Sequence, residues 1–355
     1  MTLPSPGGHR HGGDPTNEPN IDLSMNETPY PPLPSVRRLV MGGASRLHRY
    51  PDHAAAELLA TLAARLGVPA AQLVVGPGSA GLCQHLIQAI APQGGTVVHA
   101  ALSFEAYPLI IANAGARPVP VPLADHRHDL TAMADAVTAD TRCVLVCNPN
   151  NPTGTVLHRA EIERFLDRIP PEVVVIVDEA YREFVTDPDV PDLVAVAGDR
   201  GNLCVLRTFS KAYGLAALRV GYAVAPPGIA AAARLRGAVF FPSGPGQAAA
   251  VASLDPVAEA ELLTRCAELA RHRRQLSDQL AALGLPVVPS QANFVWLTLG
   301  TDAEAFTAHC RRAGILVRSH PGQGVRITVG DAAANRRLVE VAAEFVVTDR
   351  TAVAS

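Results

Sequence analysis

The sequence has little charge and no excess of positive charge. Only 18% of the 355 residues are charged, and 33 acidic residues nearly balance 30 basic ones, for a net charge of −3. The missing basic excess argues against nucleic acid as a partner. With 48% hydrophobic residues the chain can bury a large core, which excludes a chain that is disordered throughout. The length fits one large domain and a smaller one.

Signals for membranes, secretion and metals are also missing. No apolar run approaches the ~20 residues that a membrane-spanning helix needs, and residues 1–20 contain no apolar signal core. No spacing of histidine, cysteine and carboxylate is typical of a metal site, so we expect no metal. The cysteines show no disulfide pattern, which favours a reducing, cytoplasmic location. They lie at Cys83, Cys143, Cys147, Cys204, Cys266 and Cys310.

Lysine is nearly absent. Of the 30 basic residues one is lysine, Lys211, and the other 29 are arginine. A codon bias that replaces lysine by arginine explains the numbers. Because arginine stays protonated, it cannot supply a neutral amine nucleophile, whereas lysine can. The retention of Lys211 suggests the hypothesis that the protein needs this amine for chemistry.

The composition divides the chain into four segments. Residues 1–20 are rich in proline, glycine and polar residues, which predicts a flexible leader. Residues 21–45 are predicted to form an arm that packs with the smaller domain. The large domain is predicted at 46–245 and the small C-terminal domain at 246–355.

Short valine-rich runs alternate with helical stretches in the large domain. Such βα units predict an α/β fold with a mostly parallel, seven-stranded sheet. The runs lie at 73–76, 96–100, 117–122, 143–147, 173–178, 203–208 and 219–224. The smaller domain is predicted to be α+β. Its elements are a long helical stretch at 247–283, strands near 286–289, 293–298 and 325–329, and a helix at 302–313.

A glycine-rich turn follows the first of these strands. Gly76, Gly78 and Gly81 match G-x-G-x-x-G at the start of a helix, where backbone N–H groups can bind phosphate. A dinucleotide site also needs an acidic residue at the end of the next strand, but the strand ending at Ala100 has none. The turn therefore favours a phosphate site for another cofactor. An NAD-dependent dehydrogenase stays as an alternative.

Two further strands are followed by polar residues. The segment 148–154 (NPNNPTG) follows one strand, and Asp178 ends the next. Asparagine and proline favour turns by themselves, but carboxyl ends of parallel strands are also where α/β sheets bind ligands. A buried carboxylate needs a partner. Of a metal, an arginine and a protonated ring nitrogen, the ring nitrogen fits Asp178 best.

The lone lysine lies among groups that suit phosphate. Thr208 and Ser210 offer hydroxyls, and Arg219 can bind the same phosphate with its guanidinium. Lys211 can form a Schiff base with an aldehyde. A surface turn with a solvated lysine is the alternative interpretation. Together with Asp178, these residues favour a cofactor with an aldehyde, a phosphate and a pyridine nitrogen, which is pyridoxal 5'-phosphate.

The combined motifs resemble those of fold-type I pyridoxal-phosphate aminotransferases. The resemblance extends over about residues 21–345 and is greatest to the branch of histidinol-phosphate and aromatic amino acid aminotransferases. Its motifs are NETPYPP at 26–32, RYPD at 49–52, NPNNPTG at 148–154, DEAYREF at 178–184, TFSKAYGLAALRVGY at 208–222, QANFVWL at 291–297 and VRITVG at 325–330. The family's fold is a large domain with a mostly parallel seven-stranded sheet and a smaller α+β domain.

The resemblance implies a role for each matching residue around the cofactor ring. Lys211 would form the Schiff base with the cofactor and carry the proton during catalysis. Asp178 would pair with the ring nitrogen. Asn151 and Tyr181 would form hydrogen bonds with the ring hydroxyl, and Phe104, in the segment SFEAY, would stack on the ring.

Contacts to the phosphate and to the substrate are implied in the same way. The cofactor phosphate would be held by Ser79, Ala80, Thr208, Ser210 and Arg219. Tyr50 would reach the cofactor phosphate of the partner subunit, which implies a homodimer. Arg326 would bind the substrate carboxylate. The substrate side would be lined by Asn293, Arg318 and the segment from Asn26 to Tyr30.

The implied reaction is amino transfer between two small molecules. An aromatic or imidazole-bearing amino compound, such as an aromatic amino acid or histidinol phosphate, would donate to a keto acid such as 2-oxoglutarate. The sequence departs from the family at 239–246, where VFFPSGPG replaces a segment like PYNVS, and at 30–32, where YPP replaces YGP. Both departures concern substrate preference and leave the cofactor residues intact.

Three other functions are considered beside amino transfer. A decarboxylase or an oxidase of amino acids could use the same scaffold, although Arg326 in VRITVG favours a carboxylate anchor and therefore transfer. A cofactor-sensing regulator would need a DNA-binding module, and the first ~50 residues show no helix-turn-helix pattern. The NAD-dependent dehydrogenase leaves Lys211 unexplained.

Overall fold

The computed structural model describes residues 21–197 and 200–353. The leader predicted at 1–20 lies outside these ranges. The strands are β1 Ile21–Asp22, β2 Leu73–Gly76, β3 Thr96–Ala100, β4 Arg117–Val121, β5 Leu123–Ala124, β6 Arg127–His128, β7 Thr141–Cys147, β8 Val174–Asp178, β9 Leu203–Thr208, β10 Gly221–Val224, β11 Val287–Val288, β12 Phe294–Leu297, β13 Ile315–Leu316, β14 Arg318–His320 and β15 Gly324–Thr328.

Helices cover both faces of the central sheet. They are α1 Pro34–Gly42, α2 Ala56–Leu66, α3 Gly78–Ile90, α4 Tyr107–Asn113, α5 Leu130–Asp135, α6 Arg159–Arg168, α7 Val194–Ala197, α8 Pro227–Arg234, α9 Gly244–Ser253, α10 Pro256–Ala282, α11 Ala303–Arg312 and α12 Ala332–Val353. Short 3₁₀ helices lie at Gly43–Arg46, Ala70–Gln72, Arg182–Phe184, Ala216–Leu218 and Gly300–Asp302.

The central sheet has seven strands in the order β2-β10-β9-β8-β7-β3-β4. Neighbouring strands are parallel except β10, which is antiparallel to both β2 and β9. The mostly parallel α/β sheet expected from the valine-rich runs is therefore confirmed. Because the six other strands run the same way, their carboxyl ends meet at one edge.

Both faces of this sheet are buried, and the sequence of β7 shows why. Cys143, Leu145 and Cys147 face the layer that contains α3, α4 and α8. Val144 and Val146 face the opposite layer, which includes α6 and α10. Since side chains alternate between faces, a strand buried on both sides must be apolar without interruption. All six cysteines are unpaired and buried.

A second, antiparallel sheet follows in the C-terminal part, in the order β11-β12-β15-β14. Strand β1 pairs in parallel with β13 and so attaches the N-terminal segment beside this sheet. The smaller α+β unit of the predicted fold class is therefore present. The boundaries at 45/46 and 245/246 stay predictions.

The helix expected at 247–283 is two helices. The first, α9, ends at Ser253, and α10 begins at Pro256. The Asp255 carboxylate caps α10 by accepting hydrogen bonds from the N–H groups of Val257 and Ala258, at 3.0 and 3.4 Å. Asp-Pro at this position is a start signal for a helix, and the hydrophobic periodicity alone conceals it.

Among the described residues, no helix is long and apolar enough to cross a membrane.

Candidate active site

Asp178 ends β8 at the carboxyl edge of the central sheet and is only 4% exposed. Its carboxylate accepts hydrogen bonds from the Tyr107 hydroxyl at 3.1 Å and from the Ala180 N–H at 3.2 Å. Burial raises the pKa of Asp178 to about 6, although both hydrogen bonds act in the opposite direction. Tyr107, which no sequence motif singled out, lies three residues after Phe104.

Lys211 follows β9 and is partly buried. Its Nζ donates a hydrogen bond to the Met25 carbonyl at 3.0 Å. Burial lowers the pKa of Lys211 to about 8, and the positive charge of Arg326 acts in the same direction, whereas Asp178 opposes it. A lysine of this kind has an enlarged neutral fraction near pH 8, and the neutral amine is the form that acts as nucleophile and base.

A cradle for an anion lies where α3 begins. Gly78, at the start of that helix, has a φ of 71°, and a Cβ on it would lie 2.7 Å from Nη2 of Arg219. Arg219 has a φ of 53° and donates through Nη1 to the Ser210 hydroxyl at 3.2 Å. The Ser210 N–H in turn donates to the Thr208 hydroxyl at 3.1 Å.

Ser79 and Ala80 lie in the first turn of α3, where helical N–H groups have no partner within the helix. Strand β10 approaches this turn so closely that a Cβ on Gly221 would lie 2.8 Å from the Ser79 nitrogen. Free N–H groups at a helix N-terminus, hydroxyls and a guanidinium together form a phosphate site. The fold thus brings together all five residues predicted to hold the cofactor phosphate.

Arg326 lies on β15 and is buried, with 6% exposure. It donates to Asn151 Oδ1 at 2.5 Å and to the Ser24 carbonyl at 2.6 Å, both neutral acceptors. Its Nε is buried and has no hydrogen-bond partner among the described residues. A buried guanidinium with neutral partners and a free N–H is suited to bind a carboxylate.

The segment around Asn26 links these groups. The Asn26 amide donates to the Tyr181 hydroxyl at 3.0 Å, and the Asn293 amide donates to the Asn26 carbonyl at 3.1 Å. Asn293 Oδ1 is also buried without a hydrogen-bond partner among the described residues. Burial raises the pKa of Tyr181 well above its ordinary value, so its hydroxyl is protonated and able to donate.

Four of the predicted site residues lie at the margin of the group formed by Asp178, Lys211 and Arg326, or away from it. The Phe104 ring packs edge-to-face on Tyr107, with 5.4 Å between centroids. Arg318 forms an ion pair with Glu105 at 2.6 Å. The Tyr30 hydroxyl points elsewhere and donates to Glu268 at 2.8 Å. Tyr50 is 82% exposed and stacks on Phe240, with 4.6 Å between ring centroids.

The site fits pyridoxal phosphate on three independent observations. The space at Gly78 that a Cβ would fill borders Arg219 and the start of α3, as a phosphate requires. Asp178 is a buried carboxylate whose described partners are neutral, as a ring nitrogen requires. Lys211 is a partly buried amine with a lowered pKa, as an aldehyde requires.

The comparison with known families assigns this site to a class. Residues 18–343 match the family described as aminotransferase class I and II. The chain belongs to this family, and the fold and family expected from the motifs are confirmed. It is an aminotransferase that uses pyridoxal phosphate, and its substrates are small amino and keto compounds.

Individual relatives have more specific names than the family as a whole. The chain is 53% identical over 324 residues to an aromatic amino acid aminotransferase of Streptomyces coelicolor, covering 91% of this chain and 90% of that one. Its fold matches the crystal structure of a histidinol-phosphate aminotransferase from Sinorhizobium meliloti in complex with pyridoxal-5'-phosphate, with a TM-score of 0.86. The two sequences are 29% identical, and the match covers 93% of this chain and 92% of that one. The L-threonine-O-3-phosphate decarboxylase of Porphyromonas gingivalis shares the fold, with a TM-score of 0.80 at 24% identity and coverage of 92% and 99%.

Proposed function

We propose that this aminotransferase transfers the amino group of aromatic amino acids to a keto acid such as 2-oxoglutarate. The observation that carries the proposal is the 53% identity to an aromatic amino acid aminotransferase over nine-tenths of both chains. Arg326 supports it, because a buried guanidinium with a free N–H suits the α-carboxylate of an amino acid. Histidinol phosphate, which has no α-carboxylate, is the second donor to be tested.

When bound, pyridoxal phosphate supplies an aldehyde that takes up the amino group and a ring that withdraws electrons from the substrate Cα. Asp178 keeps a proton on the ring nitrogen, because a buried carboxylate is stabilised by a positive partner. Lys211, as the neutral amine, removes the α-proton of the substrate and returns a proton afterwards. Asn151 and Tyr181 hold the ring hydroxyl, and Phe104 supports the ring.

The remaining residues hold the cofactor and the substrate in position. Arg219 and the first turn of α3 bind the cofactor phosphate together with the hydroxyls of Thr208 and Ser210. Arg326 orients the substrate through its carboxylate, so that the Cα–H bond lies near Lys211. Asn293 and Asn26 keep Tyr181 in place through their hydrogen bonds.

A homodimer is part of this proposal. Exposed apolar side chains occur on α1 and on the two segments that carry Tyr50 and Phe240. They are Leu39, Met41, Leu47, Leu235 and Val239, besides these two aromatic residues. Apolar patches of this kind favour association, and Tyr50 on such a patch could reach the partner's cofactor phosphate. The unpaired cysteines fit a reducing compartment, the cytoplasm.

The test is an absorbance titration of the cofactor-loaded protein with single amino compounds: phenylalanine, tyrosine, tryptophan, histidine, glutamate and histidinol phosphate. We expect the aromatic amino acids to convert the cofactor from its aldehyde form to its amine form with release of a keto acid. Lys211→Arg is the matched control, since it keeps the charge and removes the neutral amine. An amine product, or peroxide, would instead indicate the decarboxylase or the oxidase.

A further inference from the structure

Arg318 and Glu105 form a bidentate ion pair at the margin of the site. The Arg318 guanidinium donates to Glu105 through Nε at 3.2 Å and through Nη2 to both carboxylate oxygens at 2.6 Å. Neither side chain has another hydrogen bond within 21–197 and 200–353. Because the pair is partly exposed, with 31% and 47% of the side chains accessible, it contributes little to stability, about 1 kcal/mol or less.

The position of the pair relates it to substrate binding. Arg318 is the register partner of Arg326 on the neighbouring strand, so both guanidinium groups lie on one face of the small sheet. Glu105 follows Phe104, the residue predicted to stack on the cofactor ring. The charges of Glu105 and Arg318 both act on Arg326, the first raising and the second lowering its pKa.

No further positive charge comes from the same strand. His320 lies two residues beyond Arg318, and burial together with the charge of Arg326 lowers its pKa to about 4. The ring is therefore neutral near pH 7. On this face of the small sheet Arg326 and Arg318 carry two positive charges and Glu105 carries one negative charge, which leaves one net positive charge.

We propose that Glu105 is a specificity-determining residue, which cancels the charge of Arg318 and so makes the site select substrates with a single carboxylate over phosphate monoesters. This inference rests on the proposed function and deepens it. One carboxylate matches the net charge, whereas a phosphate monoester carries a charge between −1.5 and −2 at neutral pH. A dianion beside Glu105 meets a like charge, and such juxtaposition is unfavourable.

An acceptor with two carboxylates can bind to the same two arginines, Arg326 and Arg318. Its second carboxylate must replace the Glu105 carboxylate, which accepts two parallel hydrogen bonds from Nε and Nη2 of Arg318. Glu105 is free to leave, since it has no other hydrogen bond among the described residues and is about half exposed. Glu105 therefore competes with doubly charged ligands but not with phenylalanine.

The experiment compares the binding of two inhibitors to the cofactor-loaded protein. The probes are 3-phenylpropionate, which carries one carboxylate, and phenyl phosphate, and calorimetry measures both dissociation constants. We expect Glu105→Gln to lower the dissociation constant of phenyl phosphate about tenfold relative to that of 3-phenylpropionate. In the double variant Glu105→Gln with Arg318→Gln this gain should disappear. Glu163→Gln, which removes a carboxylate from the surface of α6, is the matched control for net charge.

Turnover provides the second measurement. We expect Glu105→Gln to raise the ratio of kcat/KM for histidinol phosphate to kcat/KM for phenylalanine by about tenfold. A ratio within about twofold of the original protein, with both inhibitors bound as before, overturns the role of Glu105. If the original protein itself converts no aromatic amino acid, the proposed function fails instead, and the inhibitor titration still decides whether Glu105 discriminates between the anions.

Discussion

Two clusters of buried charge lie at the carboxyl edge of the central sheet, and they differ in how they are paired. In the first, Arg207 donates to Glu179 at 2.9 and 2.7 Å and to Asp192 at 2.7 Å. In the second, Arg326 donates to neutral oxygens only, and its Nε has no partner among the described residues. Glu179 belongs to the first cluster, whereas the adjacent Asp178 belongs to the second, together with Arg326 and Lys211.

This difference in pairing distinguishes a cluster that stabilises the fold from a cluster that can bind ligands. A buried ion costs several kcal/mol unless it is paired, and the Arg207 guanidinium is paired with two carboxylates. A cluster that keeps a free guanidinium N–H, an uncompensated carboxylate and an amine of lowered pKa lacks charges that ligands must supply. This contrast singles out the Arg326 cluster, and not the Arg207 cluster, as the place of chemistry.

The largest expected effect on turnover comes from Lys211. Lys211→Ala removes the only lysine amine of the sequence, and we expect turnover to fall by at least about a thousandfold because this amine is the group assigned to α-proton transfer. The free energy of unfolding of the cofactor-free protein should not fall by more than about 1 kcal/mol. Single-turnover kinetics and denaturant titration measure the two quantities. Appreciable residual transamination would remove Lys211 from its assigned role.

Arg207→Ala should show the opposite pattern. The change leaves Glu179, which is 1% exposed, without its cation, and we expect the free energy of unfolding to fall by about 3–5 kcal/mol. Turnover per folded molecule should remain within a few-fold of the original. Urea titration followed by assays at low temperature tests this prediction. Arg326→Ala is the comparison, and a loss of stability equal to that of Arg207→Ala would contradict the distinction between the clusters.

The pH dependence of stability should reveal the uncompensated Asp178. Its pKa is raised to about 6 by burial, so the folded state binds this proton more tightly than the unfolded state. In the cofactor-free protein this group therefore lowers the free energy of unfolding as pH rises from about 4 to about 6, by at most about 3 kcal/mol. The difference between the original protein and Asp178→Asn isolates the contribution. If the free energies of unfolding of the two proteins changed with pH in the same way, burial would not raise the pKa of Asp178.

The smallest of these effects concerns the phosphate cradle. Gly78→Ala places a Cβ 2.7 Å from Arg219 and requires an alanine at a φ of 71°. We expect the affinity for pyridoxal phosphate to fall about tenfold, because both the backbone and the guanidinium must shift. Fluorescence titration of the cofactor-free protein gives the dissociation constant. Gly67→Ala, at a φ of 68° with open space around it, is the control for backbone strain alone.

Sequence patterns predicted the strands well and the side-chain partners poorly. The strand 73–76 is observed as predicted, and the run at 173–178 is observed as Val174–Asp178, because buried parallel strands need continuous valine-rich runs. Polar residues at strand ends could therefore be placed at one edge. The partners Tyr107 and Glu105 could not be predicted, since no local pattern links them to Asp178 or Arg318, which are 71 and 213 residues away.

Tyr30 and Tyr50 show a second limit of sequence patterns. Both lie in motifs that resemble the family, yet the Tyr30 hydroxyl bonds to Glu268 on α10 and Tyr50 is exposed. A motif fixes where the backbone passes, whereas the direction of a side chain depends on neighbours from distant elements. The role of Tyr50 depends on a second subunit and stays a prediction, as does that of Tyr30.

The contacts of the segment 24–26 have a consequence for biosynthesis. Carbonyls of Ser24 and Met25 bind Arg326 and Lys211, and the Asn26 N–H donates to Thr328, a residue 302 positions later. Contacts of such sequence separation carry the largest loop-closure entropy and form late. During translation Thr328 must leave the ribosome before the segment 24–26 can form this contact. The backbone support that Ser24 and Met25 give to Arg326 and Lys211 can therefore be completed only after Thr328 has been synthesised.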